Sequence, residues 1–222
     1  MKIALLGAES TGKTQLSREL AAHLQAQGKS VTVVDEVLRT WCEREGRTPR
    51  PEEQLPIARE QERLVDEAAE RADVVIADTT ALMVAIYSAM LFEDGSLYQF
   101  ALSRQRTYDV TLVTGLDLPW VADGLQRDGP HVREPVDALV REALVKAGVA
   151  YRVVYGRGED RLKNALIAIN AAAPTSTPES KLSGDPAALP RRGSKEIQQW
   201  KWVCDKCSDP ECEHRLFTGL AR

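Results

Sequence analysis

Eight residues near the start carry the densest chemistry in the chain: Gly7-Ala8-Glu9-Ser10-Thr11-Gly12-Lys13-Thr14, followed by Gln15. They fit G-x-x-x-x-G-K-[ST], directly after the apolar run Ile3-Ala4-Leu5-Leu6. Glycines at 7 and 12 admit backbone angles that side chains forbid. The loop can then turn its N–H groups onto an anion, and the dipole of a following helix adds to the attraction. In such a P-loop, Lys13 reaches the β- and γ-phosphates and Thr14 Oγ1 holds Mg²⁺. Residues 7–15 are therefore the expected ATP-binding set. Two acids extend the chemistry. Asp78 follows an apolar run, where such proteins place a carboxylate associated with the metal; the other reading is a helix N-cap, which Asp, Thr79 and Thr80 all suit. Glu36 follows a second apolar run and could orient an attacking hydroxyl or contact a substrate. The alternative is a solvated acid. Arg39, three residues on, shares a helical face with it.

The elements that must position these residues alternate. A helix over 14–27 repeats Leu16, Leu20 and Leu24 and stops at Gly28. A β-branched strand, 31–34, leads to Asp35 and Glu36. The charged stretch 39–56 reads as loop with irregular helix, and 57–71 as helix. A third strand, 74–77, ends in Asp78. Helices over 82–92 and 97–105 precede a fourth strand, 110–113. After a loop from Pro119 to Pro130 come a helix over 134–146, a fifth strand, 151–154, and a last helix, 160–169. Strands that are apolar throughout and alternate with helices indicate a parallel sheet covered on both faces. The expectation is an α/β fold: a P-loop NTPase three-layer sandwich with a five-stranded parallel sheet, plus a short C-terminal Cys/His tail. Ligands of such sheets bind at the carboxyl ends of the strands. The P-loop, Glu36, Asp78 and the loop over 117–123 all fall there.

Three blocks make the chain resemble the ribosylnicotinamide kinase domain of the NadR family, over about residues 1–170. They are the P-loop with its Glu-Ser-Thr interior, Glu36-Val37-Leu38-Arg39, and Pro119-Trp120-Val121-Ala122-Asp123-Gly124-Leu125. The resemblance implies transfer of the ATP γ-phosphoryl to the 5′-hydroxyl of nicotinamide riboside. Trp120 offers a flat face to a pyridinium ring, or packs the sheet rim. Asp123 would bind a ribose hydroxyl or hold a lid arginine. Arg127 and Arg133 are lid-charge candidates for the transferring phosphoryl, or solvated arginines. Gln126 stands where the family carries that arginine, and Val37 where it carries an aromatic. Only His23, His131 and His214 occur, none in the His-x-Gly-His context of the family's nucleotidyltransferase domain, so synthesis of the dinucleotide itself is not expected.

From residue 171 to 197 the composition turns to Ala, Pro, Ser and Gly without periodicity, which reads as a linker. The final segment, 198–222, holds Cys204, Cys207, Cys212 and His214 within eleven residues. A Cys₃His set suits a closed, structural Zn²⁺ site. A Cys204/Cys207 redox pair and unstructured thiols are the alternatives. Trp200, Trp202 and Phe217 flank the cluster, so the segment could dock on the domain or on a protein partner.

Composition narrows the classes. The 222 residues are 43% hydrophobic, with a net charge of −4, which gives no electrostatic reason to expect nucleic acid or an anionic membrane. No apolar stretch approaches a membrane span, and the N-terminus has no signal-peptide pattern. The expected location is the cytoplasm. The expected function is a Mg·ATP-dependent kinase of a riboside. The rival readings are a kinase for another nucleoside, and an ATP-binding regulatory module with slow or no turnover.

Overall fold

The computed structural model describes residues 1–121 and 129–172. Five strands form one sheet: β1 (Lys2–Leu6), β2 (Val31–Val34), β3 (Val74–Asp78), β4 (Val110–Thr114) and β5 (Arg152–Val154). Their order is β2-β3-β1-β4-β5, and every pairing is parallel. β1 therefore lies in the middle, with Leu5 opposite Asp78 on one side and Leu112 on the other. That register brings the end of β1, from which the P-loop springs, level with Asp78.

Alternation along each strand divides the core. Ile3, Leu5, Ile76 and Leu112 face α1 (Lys13–Ala26) and α7 (Gly158–Ala172), meeting Leu16, Leu20 and Leu24. Ala4, Val75 and Ala77 face Val65 of α3 (Pro51–Ala69). Leu6 and Val113 meet the remaining helices: α2 (Val37–Glu45), α4 (Ala81–Phe92), α5 (Leu97–Gln105) and α6 (Arg133–Lys146). Each fully buried Leu or Ile contributes roughly 1.5–3 kcal/mol relative to exposure. Helices on both faces of a parallel sheet give the three layers that the strand pattern predicts.

The stretch 39–56 departs from the expectation. It is helical at both ends, with α2 and the first turns of α3 separated by only five residues. Pro51 opens α3 at its first position, where a proline is tolerated, and Pro56 lies inside the helix, in its second turn. A side-chain clamp begins α3. Glu53 accepts from the Arg50 backbone N–H at 2.7 Å and takes both ends of the Arg47 guanidinium at 2.8 Å. The Arg47 bonds, then the Arg50 N–H, hold the Glu53 carboxyl down at about 2. α7 runs to Ala172, two residues into the segment read as linker. The rest of that linker and the Cys204, Cys207, Cys212 and His214 cluster lie outside the described residues. Among the described residues, no helix is long and apolar enough to cross a membrane.

Candidate functional site

The P-loop is keyed into the end of β4. Gly7 has φ 141°, and a Cβ there would lie 2.2 Å from Thr114 Oγ1. The same Thr114 hydroxyl shares a 2.7 Å hydrogen bond with Thr11 Oγ1 and lies 3.1 Å from the Leu6 carbonyl. Thr11 Oγ1 is also 2.7 Å from the Ala8 carbonyl. Ser10 and Gly12 curl the loop with φ 54° and 74°. Among the described residues, no backbone N–H of residues 8–12 donates to a backbone carbonyl. Those donors suit an anion. Gly7→Ala combines overpacking with a backbone angle that a side chain resists, each costing about 1–3 kcal/mol. We expect a destabilisation of about 3 kcal/mol, read as a shift in the urea midpoint.

Lys13 sits at the first turn of α1, and its ammonium donates to the carbonyls of Gly7 (3.0 Å) and Ala8 (2.8 Å). Burial lowers its pKa, while the charges of Glu36, Asp78 and Glu9 oppose that shift. Residues 10–15 line a cleft of about 830 Å³ together with Arg18, Glu19, Arg39, Leu118, Pro119 and Val121. Glu9 is buried beside it, and exposed Gln15 bonds Glu19 at 2.8 Å.

Thr14 Oγ1 donates to Asp78 Oδ2 at 2.5 Å. Asp78 is 1% exposed, and its Oδ1 is buried with no hydrogen-bond partner. A buried carboxylate oxygen left over beside a hydroxyl is a donor set that fits a hard divalent cation. The N-cap role that competed for Asp78 belongs to Thr80, whose hydroxyl accepts from the Leu82 N–H at 3.2 Å. Thr79 makes the turn between them, in the left-handed region at φ 74°. Strain of this kind, on a residue that is neither Gly nor Asn, is held by its surroundings; here the Thr79 N–H donates to the Leu5 carbonyl at 3.1 Å.

Glu36 occupies the N-cap position of α2, and its Oε2 accepts from Arg39 Nη2 at 3.0 Å. Arg39 Nη1 lies 3.5 Å from Thr14 Oγ1. Glu36, Arg39, Thr14 and Asp78 thus form a continuous line along the strand ends. The loop after β4 closes the other wall. Ser10 Oγ accepts from the Val121 N–H at 2.8 Å and donates to the Val121 carbonyl at 3.1 Å. Trp120, one residue before this tie, is half-buried, with its indole N–H covered and without a hydrogen-bond partner. Asp123 and Arg127 lie outside the described residues. Arg133 opens α6 and donates to the Leu118 carbonyl at 2.9 Å; burial lowers its pKa.

The loop from Asp117 falls at this rim as the strand pattern predicts, but two contacts there have no signal in the local sequence. Asp117 accepts from the Gly156 N–H at 2.7 Å, and Arg161 of α7 reaches the Thr11 carbonyl at 2.5 Å. They are joined only by the fold: Arg161 and Thr11 are 150 residues apart.

A family model described as an AAA domain matches residues 2–161, more than half of the chain. The chain belongs to the AAA domain family. No curated protein matches it in sequence. Solved structures similar to this AAA domain include two kinases and a NadR protein. A NadR protein in complex with NAD and AMP-PNP is 20% identical with a TM-score of 0.56, over 82% of this chain and 51% of that one. Deoxyadenosine kinase from M. mycoides is 14% identical with a TM-score of 0.54, over 77% of this chain and all of that one. Thymidylate kinase from Ehrlichia chaffeensis is 15% identical with a TM-score of 0.54, over 77% and 97%. At these identities the likeness is one of fold. This AAA domain thus has the P-loop kinase fold.

Proposed function

We propose that this AAA domain transfers the γ-phosphoryl of Mg·ATP to the 5′-hydroxyl of a riboside, with nicotinamide riboside as the favoured acceptor. The observation that carries the reading is the line of Lys13, Thr14, Asp78, Arg39 and Glu36 along one rim. Phosphoryl transfer asks a protein mainly for positioning and charge neutralisation. The loop N–H groups and Lys13 neutralise the phosphates. Thr14 and Asp78 would hold Mg²⁺, which when bound draws charge from the β- and γ-phosphate oxygens. Arg39 bridges the metal side of the site to Glu36, and Glu36 takes the proton of the attacking hydroxyl. The preference for nicotinamide riboside rests on Trp120 and the Pro119–Leu125 block.

The test is ADP release from Mg·ATP across a panel of ribosides. Strong stimulation by nicotinamide riboside, with the mononucleotide as product, is the expected result. ATP binding without stimulation by any riboside would overturn the kinase reading in favour of a nucleotide-gated module. For the tail, Cys204, Cys207, Cys212 and His214 are proposed to hold one structural zinc, with a protein as the tail's partner. Metal analysis of protein purified without chelator is expected to find about one zinc per chain, lost in a Cys204→Ser, Cys207→Ser double variant.

A further inference from the structure

Arg161 is a buried arginine that the proposed reaction does not use. Its side chain is 4% exposed. Nη2 donates to the Thr11 carbonyl at 2.5 Å, and Nη1 to the Gly156 carbonyl at 3.0 Å. Its nearest carboxylate oxygen, Asp117 Oδ1, is 3.5 Å away, and Nε has no partner. Burying a guanidinium against two carbonyls and one long ion pair, at 3.5 Å, is a poor way to gain stability, because desolvation offsets the attraction. The placement calls for a different account, and the peptide it grips supplies one.

The described peptides are all trans. In a trans peptide the C=O and the following N–H point in opposite directions. The Thr11 carbonyl and the Gly12 N–H belong to one peptide plane. Arg161 holds that carbonyl from the α7 side, so the Gly12 N–H is turned away from Arg161, and Gly12 itself lines the cleft. A glycine peptide with φ 74° has little local resistance to flipping. The guanidinium is itself held on its other side. Nη1 donates to the Gly156 carbonyl, and Gly156 is tied in turn: its N–H donates to Asp117 Oδ2 at 2.7 Å, and at φ 105° a Cβ on it would lie 3.2 Å from the Arg161 backbone nitrogen.

We infer that Arg161 is a positioning residue that locks the Thr11–Gly12 peptide so that the Gly12 N–H faces the phosphates. The inference rests on phosphate binding at the P-loop, not on the identity of the acceptor. Without the lock, the peptide samples both orientations, and bound phosphate must select the competent one.

The test is the affinity for ADP with Mg²⁺, measured by calorimetry on the full chain. For Arg161→Met, which keeps length and packing, the dissociation constant is expected to rise about tenfold. Arg161→Lys should fall between, because an ammonium can keep the Thr11 bond but not the fork. The Gly12 amide resonance should shift on adding ADP less than half as far in Arg161→Met as in the wild type. A merely structural role would lower the melting temperature and leave both readouts unmoved. An Arg161→Met that binds Mg·ADP within twofold of wild type overturns the inference alone. If that variant fails to fold, Arg161→Lys decides by the same twofold criterion. Wild-type protein that binds no Mg·ADP overturns the phosphate reading, and the inference with it.

Discussion

Lys13→Ala is expected to lower acceptor-dependent ADP release on the order of 10³-fold, the upper range for one preorganised electrostatic contact, and to leave the fold intact. Nζ donates to the Gly7 and Ala8 carbonyls of the loop, at 3.0 and 2.8 Å. It is therefore already inside the cradle before nucleotide arrives, and a phosphate oxygen would replace those carbonyls as its partner. Removing it costs the folded state little. Ala8 O keeps its 2.7 Å bond from Thr11 Oγ1, and the burial that depresses the Lys13 pKa shows that the charge is held at some expense. The two halves are checked separately. ADP release reads the first, and a thermal unfolding midpoint within a few degrees of wild type reads the second. A Lys13→Ala protein with undiminished turnover would remove the P-loop from the chemistry.

Asp78→Asn is the second large effect. The amide keeps an oxygen to accept from Thr14 but loses the negative charge and the spare Oδ1 that make the pair a cation site. We expect the Mg²⁺ concentration for half-maximal activity to rise about 10–100-fold, the range found when a group supporting a metal is lost. Stability should change little, because the amide oxygen keeps the Thr14 hydrogen bond. The Mg²⁺ titration of the variant against wild type is the measurement. Superimposable curves would reduce Asp78 to a hydrogen-bond partner of Thr14.

The parts legible in the sequence are those written in local patterns. Strands β1, β3 and β4 are apolar runs because both their faces are covered, and the P-loop spells its own turn through Gly7 and Gly12. Glu36 and Arg39 could be paired on paper because three residues separate them along one helix. The start of α3 was hidden because its signal is a side-chain clamp, Glu53 on Arg47 and Arg50, in a stretch that otherwise reads as charge and proline. Thr80, rather than Asp78, caps α4 because Thr79 adopts a backbone angle that no residue pattern announces. The contacts of Thr114, Asp117 and Arg161 escaped for a deeper reason. Each acts on a backbone group far away in the chain, and only the sheet order β2-β3-β1-β4-β5 makes them neighbours.

That sheet order also sets when the site can exist. β1 leaves the ribosome before its partners β3 and β4, and the Thr11 carbonyl waits for a helix that begins at Gly158. Non-local pairings of this kind form slowly because loop closure must precede any gain. A nascent chain that has exposed only the P-loop and α1 carries the motif without the cradle. Under the proposed function, nucleotide can be held only after α7 has docked. From then on the ligand acts on folding by mass action, drawing the completed domain away from partly assembled forms.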